Sequence, residues 1–112
     1  MIVGMAPRLS AAAFQALGDT NRRAILEELG QGERSVAELT RRVGISQPAV
    51  SRHLRLLKSA GLVDDYPEGA KNIYRLRREG AEAVRKYIEN LWGEAAVRFR
   101  LAADNTSRRK RR

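Results

Sequence analysis

Apolar residues recur at helical spacing through most of this chain, and glycines punctuate them. Leu9, Ala13, Phe14 and Leu17 share one face of a short predicted helix over 9–17, which Gly18 ends. Asp19 is a suitable N-cap for a second helix over 20–29, with Ile25, Leu26 and Leu29 on its inward stripe. Gly30 and Gly32 mark the next break. Ser35, with Glu38 three residues later, has the form of a capping box opening a helix through Val43, with Val36 and Leu39 inward. Gly44 supplies the left-handed turn that stops it. Ser46 then caps a longer helix. Pro48 is tolerated in its first turn because the missing N–H would have no partner there anyway. Val50, Leu54 and Leu57 form its buried stripe, and Gly61 closes it. Beyond it the period changes: 62–66 and 72–77 alternate as strands do, separated by Pro67, Glu68, Gly69, Ala70 and Lys71, which predicts a hairpin. Helical spacing returns over 80–103 through Val84, Tyr87, Ile88, Leu91, Ala95, Phe99 and Ala102. The expected fold is mainly α (α+β), with about five helices and a two-stranded β-hairpin. It forms one domain over 9–103, followed by a basic, disordered tail over 104–112.

Composition narrows what such a domain can do. At 112 residues there is little room for both a core and a deep enclosed active site. The absence of cysteine excludes disulfides, thiol catalysis, redox sensing and thiolate metal sites, and a single histidine removes most zinc and histidine-based catalysis. No phosphate-cradling glycine loop, activated nucleophile or paired carboxylates are present, so neither an enzyme nor a cofactor is expected. No apolar run approaches the roughly 20 residues that span a bilayer, and Gly4, Pro7 and Arg8 are unlike a signal peptide. A cytoplasmic location away from membranes is the expectation. Charge points the other way, toward a polyanion: 22 Lys+Arg against 13 Asp+Glu give +9. Much of the excess lies in the run Arg108, Arg109, Lys110, Arg111 and Arg112. A second concentration spans 34–60, where Arg34, Arg41, Arg42, Arg52, Arg55 and Lys58 face a single acid, Glu38.

That second patch falls on two helices joined by a short glycine turn, the pattern of a helix-turn-helix, and the hairpin after it makes the motif winged. In this geometry the second helix enters the major groove with its N-terminal residues toward base edges. With Val50, Leu54 and Leu57 inward, Pro48, Arg52, Arg55 and Ser59 lie outward, and Gln47 and Ser51 flank the N-terminal end. Glutamine can bond adenine in bidentate fashion, arginine can do so with guanine, and serine can bond either. Gln47, Ser51 and Arg52 are therefore the candidate base-reading residues, and Arg55, a turn further on, is a candidate phosphate contact. Lys71 and Asn72 at the hairpin tip, with Arg75 and Arg77 on the return strand, are candidates for phosphates or a narrowed minor groove. The alternative for all of these is an ordinary solvated polar face.

In order along the chain, LGDTNRRAIL (17–26), VAEL (36–39), ISQPAVSRHL (45–54) and LKSAGLV (57–63) resemble the ArsR-type winged-helix transcriptional repressors. The resemblance runs from about Phe14 through the hairpin and more loosely into the last helix. It implies a homodimer on an imperfect palindrome of double-stranded DNA, repressing its own or an adjacent operon. It also implies that Gln47, Pro48, Ser51 and Arg52 occupy groove-contacting positions, with the hairpin on flanking DNA. The sequence departs from the metal-sensing members, which carry a cysteine pair in the helix matching 35–43 or His and carboxylate ligands in the last helix. Here the first set reads Val36, Ala37, Glu38, Leu39 and Thr40, and the last helix has no histidine. Its scattered Glu82, Glu89 and Glu94 make a poor transition-metal site. The chain is thus similar to the metal-independent branch, and its inducing signal is left open.

The last helix carries more apolar surface than a small core needs. Ile88, Leu91, Trp92, Ala95 and Phe99, with Phe14 and Leu17, are the expected seam of a two-fold dimer, the competing reading being an intrachain core. His53, beside the buried stripe, is expected to be structural, with a DNA contact as the other possibility and no titratable partner evident. At least one of Arg22 and Arg23 is expected to be structural. The basic tail is expected to add sequence-independent phosphate attraction. The competing function is a winged-helix protein-interaction module that binds DNA only non-specifically.

Overall fold

The computed structural model describes residues 5–110, and side chains from 11 to 103 apart from Glu94. The order is α1 (Met5–Ala16), α2 (Thr20–Gln31), β1 (Arg34–Ser35), α3 (Val36–Val43), α4 (Gln47–Ser59), β2 (Val63–Glu68), β3 (Lys71–Leu76) and α5 (Arg78–Lys110). The helix starts form as their cap residues dictate. The Asp19 carboxylate accepts from the backbone N–H groups of Asn21 and Arg22 at 2.8 and 3.0 Å. The Ser35 hydroxyl accepts from Glu38 N–H at 3.2 Å, and the Glu38 carboxylate accepts in return from Ser35 N–H at 3.0 Å. Ser46 accepts from Ala49 N–H at 3.3 Å. Because Ser35 is buried, Ser35→Ala is expected to cost about 1 kcal/mol, seen as a lower urea midpoint at unchanged m.

The core gathers the predicted stripes. Ile25 and Leu29 of α2, Leu39 of α3 and Val50, Leu54 and Leu57 of α4 are buried together with Ala13, Ala16, Leu62 and Val63. Arg22 Nε donates to the Ala16 carbonyl at 2.7 Å, and an Arg23 guanidinium N–H donates to the Leu17 carbonyl at 2.6 Å. Both arginines therefore finish the C-terminal end of α1, where carbonyls lack helical donors. At the end of α4, Gly61 takes φ +79. Its N–H reaches the Lys58 carbonyl and that of Leu62 reaches the Leu57 carbonyl, each at 3.0 Å, which makes a Schellman turn.

The sheet is antiparallel in the order β1-β3-β2. Three features depart from the expectations. The hairpin is tighter: Pro67, Glu68 and Lys71 belong to the strands, Glu68 stands opposite Lys71, and only Gly69 and Ala70 turn. Pro67 fits because β2 is an edge strand, where no neighbour needs its missing N–H. A third strand is also present, Arg34 and Ser35 pairing with Tyr74 and Ile73. Lastly, α1 begins before residue 9 and α5 continues beyond residue 103, so the segment expected as an irregular tail is helical backbone to Lys110. Arg111 and Arg112 lie outside the described residues.

The root of α5 is locked to the end of α4. Arg77 N–H donates to the Leu62 carbonyl at 2.9 Å. Gly80 is buried there: a Cβ on it would lie 2.8 Å from Leu62 Cα and closer still to the Gly61 carbonyl oxygen. From this root the 33-residue α5 runs outward, and the long axis of the molecule reaches 72 Å.

Candidate nucleic-acid interface

Helix α4 presents the polar face expected of it. Its apolar stripe is fully buried, while Gln47, Pro48, Arg52 and Arg55 are exposed and Ser51 is half-buried at their edge. The first turn starts at the Ser46 cap, so Gln47 and Pro48 stand at its very tip. Helix α3 ends at Gly44, with φ +78, just before α4 begins. The two-helix unit is therefore fixed by a cap, a left-handed glycine and a second cap.

The basic residues from α3 through α4, and those at 71, 75 and 77, divide into two groups. Arg42 pairs with Glu28 at 3.2 Å, Lys58 with Asp65 at 2.7 Å, Arg75 with Asp64 at 2.8 Å, and Arg77 with Glu79 at 3.7 Å. Arg41, Arg52, Arg55 and Lys71 make no ion pair or side-chain hydrogen bond among the described residues, and all four are exposed. Of the sequence-selected arginines, the structure thus leaves Arg52 and Arg55 available on α4. On the wing Lys71 is available at the tip, whereas Asn72 donates to Asp65 at 2.9 Å. Arg75 is held by Asp64 and lies 5.0 Å over the Tyr66 ring, an arrangement that keeps its guanidinium on the strand. The Tyr66 hydroxyl in turn donates to Glu33, and that bond, first among the causes, pushes the phenol above its usual pKa.

These carboxylates are functional neighbours that the sequence pattern did not single out. Asp64 and Asp65 are consecutive strand residues, so they point to opposite faces. One meets Arg75 and the other meets Lys58 of α4. The period-2 reading of the strand could have assigned the faces, but not that the last turn of α4 lies over one of them.

His53 has a partner, contrary to expectation. Its Nε2 lies 3.9 Å from the same Asp19 oxygen that caps α2, and the side chain is 17% exposed. The Arg22 backbone N–H, more than any other group, holds the Asp19 carboxyl below its usual pKa, with the His53 charge a smaller influence. His53 thus faces the start of α2, in keeping with the structural reading.

On α5, Leu91, Trp92, Ala95 and Phe99 are exposed, and Trp92 and Phe99 keep 65% and 79% of their surface in solvent. Phe14 is also exposed and its ring packs at 5.4 Å from that of Tyr87. Leu17 and Ile88 behave differently: both are half-buried, and Leu17 packs on the core. With Leu26, Leu62, Leu76 and Val84 they line an apolar groove of about 460 Å³. Val97 and Leu101, not singled out beforehand, add exposed apolar surface. Among the described residues no group of three or more His, Cys, Asp or Glu is placed to hold a metal ion, and no helix is long and apolar enough to cross a membrane.

Comparison with known proteins agrees with this geometry. The family described as bacterial regulatory protein, arsR family, matches residues 19–65, from the α2 cap into the wing. An HTH-type transcriptional regulator of Mycobacterium tuberculosis is 42% identical over 93 residues, covering 83% of this chain and 87% of that protein. The transcriptional repressor SdpR of Bacillus subtilis is 35% identical over 63 residues, covering 56% of this chain and 70% of that protein. Among solved structures, a homodimeric winged helix-turn-helix DNA-binding domain from Mycobacterium bovis, a possible ArsR-family regulator, aligns with a TM-score of 0.68. It is 28% identical, and the alignment covers 88% of that chain and 86% of this one. A winged helix-turn-helix whose α4 face, turn and wing all fall within such matches has one family assignment: the chain belongs to the arsR family of bacterial regulatory proteins.

Proposed function

We propose that this chain is a sequence-specific, double-stranded DNA-binding transcriptional regulator, a cytoplasmic homodimer that represses by occupying a palindromic operator. The observation that carries the reading is the pair of uncommitted arginines on the exposed face of α4. Arg52 and Arg55 lack any acidic partner among the described residues, while Arg42 and Lys58 nearby are neutralised. Gln47, Ser51 and Arg52 reach base edges. Pro48 packs at the helix tip against the groove, and Arg55 and Lys71 hold phosphates. Asn72 and Arg75, held by Asp65 and Asp64, lie on the wing beside the flanking backbone and shape the surface from which Lys71 reaches it. The α5 face with Phe14 pairs with a second copy, which puts two α4 helices about one DNA turn apart. The basic run 108–112 adds attraction for any duplex. The reading needs no catalytic step and no cofactor.

The test is binding to a duplex from the gene's own upstream region and to a scrambled duplex at about 150 mM salt. A ratio on the order of 10³ or more is expected. Arg52→Ala should lower discrimination at one base pair on the order of tenfold or more while changing scrambled binding far less. If selection from a random pool also returned no motif, a protein-interaction module would replace this reading.

A further inference from the structure

We infer that Asp65 is a positioning residue for DNA reading: it brackets the last turn of α4 to the wing and keeps the Lys58 ammonium from the phosphate backbone. The inference rests on the DNA-binding role proposed above. Asp65 spends both carboxylate oxygens on partners from different elements. Oδ1 meets Lys58 Nζ at 2.7 Å, and Oδ2 accepts from Asn72 Nδ2 at 2.9 Å. Lys58 belongs to α4 and Asn72 to β3, so one side chain on β2 fixes the helix to the returning strand. The Asp65 side chain is 13% exposed and stands opposite half-buried Tyr74 in the β2–β3 register. Such a carboxylate is held in place rather than swinging in solvent. Lys58, by contrast, is more than half exposed on the segment that carries Arg52 and Arg55. Without Asp65 it would be another mobile cation beside them.

The bracket acts on geometry. One carboxylate ties the last turn of α4 and the Asn72 amide of β3 together on the same face of the sheet. It also acts on charge. A cation that can reach any phosphate strengthens binding to every sequence equally, which lowers discrimination. The hydrogen bond from Lys58 to Asp65, followed by the charge of Asp65, holds the ammonium above its usual pKa. A lysine ammonium is charged at neutral pH with or without a carboxylate partner, so losing Asp65 leaves that charge uncompensated on the face. Asparagine matches Asp65 in volume and keeps an amide oxygen that accepts hydrogen bonds, so the variant is expected to fold.

Asp65→Asn should steepen the dependence of log K on log salt by about 0.9, the increment for one more phosphate neutralised. Scrambled-duplex affinity should rise several-fold, and the specific-to-scrambled ratio should fall by roughly the same factor. Glu68→Gln is the control. It removes the same charge from the same strand, but Glu68 holds no cation in an ion pair among the described residues, so the slope should stay near wild type. Adding Lys58→Gln to Asp65→Asn should restore the wild-type slope. In the DNA-free protein, nitrogen relaxation of the Lys58 ammonium should report a restrained group in the wild type and a mobile one in Asp65→Asn. A slope and ratio for Asp65→Asn equal to those of Glu68→Gln, or a Lys58 ammonium equally mobile in both proteins, would overturn the inference. Wild-type protein that bound both duplexes equally would instead sink the regulator reading. The slope on the scrambled duplex and the ammonium relaxation would still decide whether Asp65 restrains Lys58.

Discussion

Gly80→Ala is expected to be the most damaging single-methyl change in this protein, lowering stability by about 3 kcal/mol. The added carbon would sit 2.8 Å from Leu62 Cα and 3.0 Å from the Gly61 carbonyl carbon, with the carbonyl oxygen nearer still. All three obstacles are backbone, and they belong to the Schellman turn that ends α4, so no side chain can rotate away. Relief requires α5 to lift from the body, which stretches the hydrogen bond from Arg77 N–H to Leu62. Helix propensity alone would predict a gain of up to about 1 kcal/mol for the same change, so the two effects differ in sign. Urea denaturation decides between them. A midpoint at or above wild type would show that α5 is not seated as described. Gly93→Ala supplies the contrast: a Cβ there meets nothing within 4 Å, so stability should rise slightly.

Trp92→Glu combined with Phe99→Glu is expected to leave a folded monomer whose affinity for a palindromic operator is lower by about 10²–10⁴. Both side chains are largely exposed within a single chain, so replacing them removes no intrachain core contact of consequence. In a two-fold seam each charge would be buried twice without a partner, which is prohibitive for association. Losing the seam converts the second half-site contact from an intramolecular event to a bimolecular one. Sedimentation gives the mass, circular dichroism the fold, and titration of the full palindrome the affinity. A double variant that remained dimeric would move the seam elsewhere, with the Leu17–Ile88 groove the first place to look.

What could be read in advance was whatever depends on neighbours within a few residues. Asp19, Ser35 with Glu38, and Ser46 cap helices because an acceptor side chain sits two or three residues before an unpaired N–H. The stripe of Val50, Leu54 and Leu57 fixes which side of α4 faces solvent, so the direction of Gln47, Arg52 and Arg55 followed. Contacts set by packing between distant elements were not readable. The pairing of Lys58 with Asp65 needs the angle of α4 on the sheet, and that of His53 with Asp19 needs the approach of α4 to the start of α2. Gly80 reads as a helix start; its role as a point of backbone contact exists only once α5 is docked. β1 escaped notice because two residues cannot show an alternating pattern, and its pairing partners lie about 40 positions away. For the wing, composition alone suggested free cations at 71–77, whereas register places Asp64 directly across from Arg75.

The outer strand of the sheet has a further consequence. β2 lies at the open edge, and a projecting strand with unpaired backbone groups is a template on which another chain can add. Pro67 removes one of the N–H groups such an intruder would need, and exposed Glu68 adds a negative charge beside it. On the opposite side β1 is only two residues long. The wing can therefore stand out from the body, as a part that reaches for a long polymer must, without offering its edge to the wings of other copies crowded along that polymer.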